Sequence, residues 1–118
     1  MINSLIYRNL FHLVFVVPLF IYFGIHKNDT DESVFNLLSF IAIFVILYHS
    51  YRYYWTSWSI NLIHIFIGGL LLLIGLFGQR LPNYVFYIFY VMATIVTVWH
   101  TYLIYTFSPS SAMLTQRL

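Results

Sequence analysis

Four histidines in this chain stand where a surface role explains them poorly. His12 and His64 lie near the starts of two apolar runs, each within the phrase Asn-Leu-x-His, spelled Asn9-Leu-Phe-His12 and Asn61-Leu-Ile-His64. His49 and His100 lie near the ends of two other apolar runs, each within the phrase aromatic-His-Ser/Thr-Tyr. An imidazole buried without a partner is costly. The ring has three uses: it ligates a metal through a neutral nitrogen, it titrates at about pH 5 to 8, or it hydrogen-bonds across helices. Four imidazoles suit copper or zinc, which accept nitrogen ligands. Two imidazoles on facing helices at equal depth suit the axial positions of a b-type haem. His12, His49, His64 and His100 are therefore the candidate ligands for either group. For haem, Asn9 and Asn61 would orient rings, Arg8 and Arg52 would meet the propionates, and Gly68 and Gly75 would make room for the macrocycle.

Other chemistry is excluded by what the chain lacks. It has no cysteine, so thiolate metal sites, disulfides and thiol catalysis are absent. No carboxylate falls inside an apolar run, which argues against a carboxylate-rich di-iron bundle and against magnesium or calcium. Nothing points to a nucleophile or a phosphate loop, so an enzyme is not the favoured reading. His26 follows the first run beside Lys27 and reads as a solvated loop residue.

The elements that must position the histidines are membrane helices. Of the 118 residues 62% are apolar and only 7% are charged, with a mean hydropathy of +0.87. A soluble domain carries about 25% charged residues, so this chain reads as an integral membrane protein. A net charge of +2, scattered along the chain, gives no sign of nucleic-acid binding. Apolar runs at about 6–25, 34–54, 58–78 and 83–107 each reach the roughly 20 residues that a membrane helix needs. Strict alternation is missing, which excludes strands. The first run has no small-x-small cleavage pattern and is read as a retained span rather than a signal peptide. The short links HKNDTDES, YWTS and QRLP predict an up-down-up-down four-helix bundle in a single domain, 1–118.

Four spans put both termini and the second loop on one face. That face carries Arg8, Arg52 and Arg117 against Lys27 and Arg80, so the positive-inside rule favours cytoplasmic termini. Tyr51, Tyr53, Tyr54, Trp55 and Trp58 read as an interfacial aromatic belt. Asn28-Asp29-Thr30 fits a glycosylation sequon but lies too near the membrane for modification to be expected. Pro18 frees the carbonyl of Val14 and is a potential kink in the first span.

The chain also repeats itself. At a shift of 52, Asn9, Leu10 and His12 coincide with Asn61, Leu62 and His64. At a shift of 51, Ala42, Val45, His49, Tyr51 and Tyr54 coincide with Ala93, Val96, His100, Tyr102 and Tyr105. Apolar helices built from few residue types resemble one another by chance, but chance does not place four histidines. The expectation is two tandem helical hairpins, 6–54 and 58–107, related by a pseudo-two-fold axis along the membrane normal.

Spacing of three and four groups the polar and small residues on single stripes: Asn9-His12-Val16-Leu19, Ser39-Ala42-Ile46-His49-Tyr53, Asn61-His64-Gly68-Leu71-Gly75-Gly78 and Tyr90-Ala93-Thr97-His100. Such stripes line helix interfaces in membranes. All four histidines are expected to face inward, at one depth on one side of the membrane. In general plan this resembles four-helix membrane cytochromes that hold haem between histidine pairs. Those proteins separate their haems across two leaflets, whereas here the second leaflet offers no histidine within a span, so one haem leaves two histidines unused. The leading expectation is a small polytopic protein whose histidine layer binds haem b or a transition metal, with electron transfer through a redox partner or homo-oligomer. The alternatives are a structural or assembly protein of a cellular, organellar or viral membrane, and a proton- or ion-conducting bundle. Conduction is hard to reconcile with a seam that continues mainly as Ser39, Thr94, Thr97 and tyrosines.

Overall fold

The fold is given by a computed structural model that describes residues 2–106. Phe107, at the expected end of the fourth span, and Arg117, used in the charge count, lie outside the described residues. Five α-helices form: α1 (Ile2–Phe11), α2 (Val17–His26), α3 (Glu32–Thr56), α4 (Ser59–Phe77) and α5 (Ile88–Thr106). A π-helical turn, His12–Val16, joins α1 to α2. Short 3₁₀ turns occupy Lys27–Asp29, Gly78–Arg80 and Asn83–Tyr87, and no strand occurs among the described residues. Four continuous helical stretches, Ser4–Asp29, Glu32–Thr56, Ser59–Arg80 and Asn83–Thr106, are long and apolar enough to cross a membrane. The first two outrun the expected spans at both ends and the third at its C-terminal end, where polar residues extend the helices beyond the apolar runs, and the fourth starts at the expected residue.

The turns explain where the helices stop. Ser57 takes a left-handed conformation (φ 54°) and its N–H bonds to the Tyr53 carbonyl at 2.8 Å, closing α3. Lys27 is also left-handed (φ 55°). The next residue, Asn28, donates its side-chain amide to the Leu81 carbonyl at 3.2 Å, and its backbone N–H reaches the Asn83 side chain at 3.3 Å. The asparagine of the sequon is thus built into a turn.

The described residues form two compact units: 2–26 with 84–106, and 27–83. Each unit takes one long helix from each half of the sequence repeat. In the unit formed by α1, α2 and α5 the core is aromatic. Phe20, Phe23, Phe86 and Phe89 are buried with Met92 and Ala93. Phe23 stacks on Phe89 with ring centroids 5.2 Å apart, and Phe20 meets the same ring at 5.6 Å. Gly24 lets the Tyr90 ring lie against the helix, where an added Cβ would come within 2.9 Å of it.

In the unit formed by α3 and α4 the core is a small-residue seam. Phe35, Leu38 and Ala42 of α3 are buried with Leu71 and Ile74 of α4. A Cβ at Gly75 would collide with the Ser39 hydroxyl and lie 2.9 Å from the Ser39 backbone nitrogen; at Gly78 it would enter the Phe35 ring. Gly68 faces the Ile46 side chain at 2.7 Å and the Ala42 carbonyl at 3.4 Å in the same sense. Close approach through small residues is what drives association of apolar helices that gain nothing from leaving water.

The first span holds one irregular turn. The Val17 N–H bonds to the carbonyl of His12, five residues back, so the turn before Pro18 holds one residue more than an α-helix would. Pro18 has no N–H to give Val14 and its ring crowds that carbonyl, which opens the turn. Beyond it the buried residues of the span are Phe20, Phe23 and Gly24, and Leu19 is half-buried.

Candidate histidine–asparagine triads

Each unit assembles one triad of two histidines and an asparagine. In the α1/α2/α5 unit, the His100 ring Nδ1 lies 2.7 Å from Asn9 Oδ1. The His12 ring stacks on His100 with centroids 4.1 Å apart and planes 9° from parallel. In the α3/α4 unit, His49 Nδ1 lies 2.9 Å from Asn61 Oδ1, and His49 stacks on His64 at 4.2 Å and 17°. Residues that coincide in the sequence repeat play the same parts. The Asn-x-x-His helix supplies the acceptor and one ring; the aromatic-His helix supplies the other ring.

Hydrogen bonding fixes which nitrogen of each ring carries the proton. His12 Nδ1 lies 2.7 Å from the Arg8 carbonyl and His64 Nδ1 lies 2.8 Å from the Ile60 carbonyl, one helical turn back. A carbonyl only accepts, so both rings donate through Nδ1–H. The asparagine amides are oriented by the same logic. Asn9 Nδ2 donates to the Leu5 carbonyl at 2.9 Å, which leaves Oδ1 to accept from His100. Asn61 Nδ2 donates to the Thr56 hydroxyl at 3.3 Å, which turns Oδ1 to His49. All four neutral rings are therefore Nδ1–H tautomers, with Nε2 as the basic nitrogen.

The triads differ in their surroundings. Asn9 (4% exposed), Asn61 (5%) and His100 (8%) are buried, whereas His12, His49 and His64 are partly exposed. The Tyr48 ring meets His49 edge-on at 5.1 Å, and Phe11 meets His12 edge-on at 5.8 Å. Arg8 serves its triad through a main-chain oxygen, and the Arg52 carbonyl accepts from Thr56 at 2.7 Å. His26 lies exposed at the end of α2, its ring 4.3 Å from Tyr22.

The cofactor expectations meet this geometry directly. A ring nitrogen binds a metal in the plane of its ring, about 2 Å away. Two parallel rings stacked at 4.1 or 4.2 Å have separate planes, so their nitrogens do not converge on one ion and cannot flank a haem iron. Nor do Gly68 and Gly75 leave space for a macrocycle, because α3 fills the groove they make. Among the described residues no three His, Asp or Glu side chains gather in a metal-holding group.

Two parts of the triads were not foreseen in the sequence. Thr56 sits in the link read simply as the YWTS connection, although a threonine near a helix end commonly bonds the carbonyl four residues back. The π turn that begins at His12 had only Pro18 as its signal. No protein-family model matches the chain, and comparison with curated proteins and with solved structures finds no match.

Proposed function

We propose that this chain is a multi-pass membrane protein, derived by duplication of a helical hairpin, whose two Asn–His–His triads are proton-binding sites. The observation that carries the reading is the pairing of stacked imidazoles whose Nδ1–H groups are anchored to carbonyl oxygens. A proton arriving at Nε2 leaves every one of those anchors in place and makes the bond at Nδ1 charge-assisted. The first charge lies over the face of the neighbouring ring. A second would put two like charges about 4 Å apart, which repel. The chain's three carboxylates, Asp29, Asp31 and Glu32, fall at the link and at the first residue of α3, at the opposite end of that helix from His49.

The same anchors favour holding a proton over conducting it. A relay takes a proton at one ring nitrogen and releases it from the other. Here Nδ1–H faces an amide or backbone oxygen, which accepts a hydrogen bond but does not take the proton onward. Entry and exit both fall to Nε2, so the reading is a proton-responsive site.

Side-chain nitrogen NMR of the full chain in lipid nanodiscs, followed from pH 8 to pH 5, tests this. Four Nδ1–H tautomers at high pH, and proton uptake at Nε2 with the Nδ1–H bonds kept, are expected. Rings that take up no proton, or that lose their Nδ1–H bonds when they do, overturn the proposal. The haem or metal reading retains one support, since an Nδ1–H bonded to a carbonyl also orients imidazole ligands. A metal or haem iron held by both rings of one triad requires them to leave their stack. A Soret band, or copper or zinc in stoichiometric amount in the purified protein, would favour it over proton binding.

A further inference from the structure

We propose that Thr56 is a positioning residue that fixes the protonated nitrogen of His49, and that it does so for one triad alone. A hydroxyl donates once and accepts twice. Thr56 Oγ1 donates to the Arg52 carbonyl at 2.7 Å, and accepts from the Trp58 backbone N–H and from Asn61 Nδ2, each at 3.3 Å. Its single proton is committed to Arg52, so toward Asn61 it presents a lone pair. The Asn61 amide must therefore turn its NH₂ group to Thr56 and its Oδ1 to His49. His49 Nδ1 lies 2.9 Å from that oxygen and must carry the proton. The order runs from a backbone carbonyl through a hydroxyl and an amide to an imidazole, and each step leaves one polarity for the next.

The other triad reaches the same end without a side chain at this step. Asn9 Nδ2 donates directly to the Leu5 carbonyl at 2.9 Å, which no substitution at Leu5 removes. The tautomer of His100 is thus set by main chain and that of His49 by a replaceable hydroxyl. The two triads are separately addressable.

This inference rests on the triad reading above but is read out by tautomer, not by titration, so the two fail separately. In the full chain in nanodiscs, Thr56→Val keeps the shape and removes the hydroxyl. The Asn61 amide is then free to turn, and the ratio of Nδ1–H to Nε2–H forms of His49 should fall about five- to tenfold, as expected for loss of one hydrogen bond. The His100 signals should stay as in the parent protein and so report an intact fold. Thr56→Ser should restore the parent His49 signature, and Thr56→Ala should repeat the loss if valine is not accommodated. An unchanged His49 tautomer in both Thr56→Val and Thr56→Ala, or an equal change at His100, overturns the assignment. A parent protein whose His49 is an Nδ1–H tautomer but does not titrate would sink the proton-binding proposal and leave the role of Thr56 standing.

Discussion

The two units build one triad on two scaffolds. In the α3/α4 unit the helices meet along glycines, Gly68, Gly75 and Gly78, and backbone lies close to backbone. In the α1/α2/α5 unit they meet through phenylalanine rings, and the first helix carries a π turn beside the histidine itself. Yet ring separation differs by only 0.1 Å (4.1 against 4.2 Å), and the asparagine bond is 2.7 Å in one unit and 2.9 Å in the other. The triad is thus specified locally. Asn-x-x-His on a helix, with each side chain able to use a carbonyl or hydroxyl near its own turn, suffices to present an acceptor and a ring. Packing decides only how firmly the second histidine is held against them.

Substitutions can break that equivalence in a graded order. The largest effect is expected from Gly75→Leu, because the added carbons meet Ser39 main chain and the helices must separate; about 3 kcal/mol of stability should be lost. At Gly24→Leu the atoms nearest the added Cβ belong to the Tyr90 ring, which can swing aside, so about 1 kcal/mol is expected. Chemical unfolding in detergent micelles compares the two, and equal losses would show that the seams are not different in kind.

Next come the asparagines. Asn9→Ala strips the acceptor from His100, which is buried, while Asn61→Ala strips it from the partly exposed His49. A buried donor left without a partner costs about 1 to 3 kcal/mol, whereas a donor near water recovers part of that loss. Asn9→Ala should therefore be the more destabilising of the two in the same unfolding assay. The reverse order would mean that the fractional burial of these rings does not measure their access to water.

The smallest effect concerns the π turn. Pro18→Ala restores an N–H to the first span and removes the ring that crowds Val14. The π turn should tighten in a fraction of molecules, and amide exchange near Val17 should slow by less than tenfold. Gly69, where an added Cβ would meet nothing within 4 Å outside its own helix backbone, offers the matched control in the other unit, where Gly69→Ala should change little.

Much of this was legible in the sequence, for physical reasons. Helices of the right number and length follow from apolar runs that must satisfy their own backbone. The stripe Asn61-His64-Gly68-Leu71-Gly75-Gly78 meets its partner helix as spacing predicts, since α4 is an uninterrupted α-helix. The π turn of the first span was not legible, because it depends on how the chain relieves the crowding of one proline against the carbonyl of Val14. Residue spacing also could not show which rings would stack. The choice between chelation and stacking depends on rotamers set by Asn9, Asn61 and Thr56, and a one-dimensional pattern carries no rotamers.

The partnering of helices has a historical consequence. Each half of the chain contributes one asparagine and two histidines to the triads, yet His49 takes its acceptor from Asn61 and His100 takes its own from Asn9. On the duplication proposed above, an ancestor half as long could complete no triad by itself and had to exchange helices with an identical molecule. Fusion of the two genes would have turned that mutual dependence into a covalent one, leaving each copy free to vary only in ways its twin could still accept.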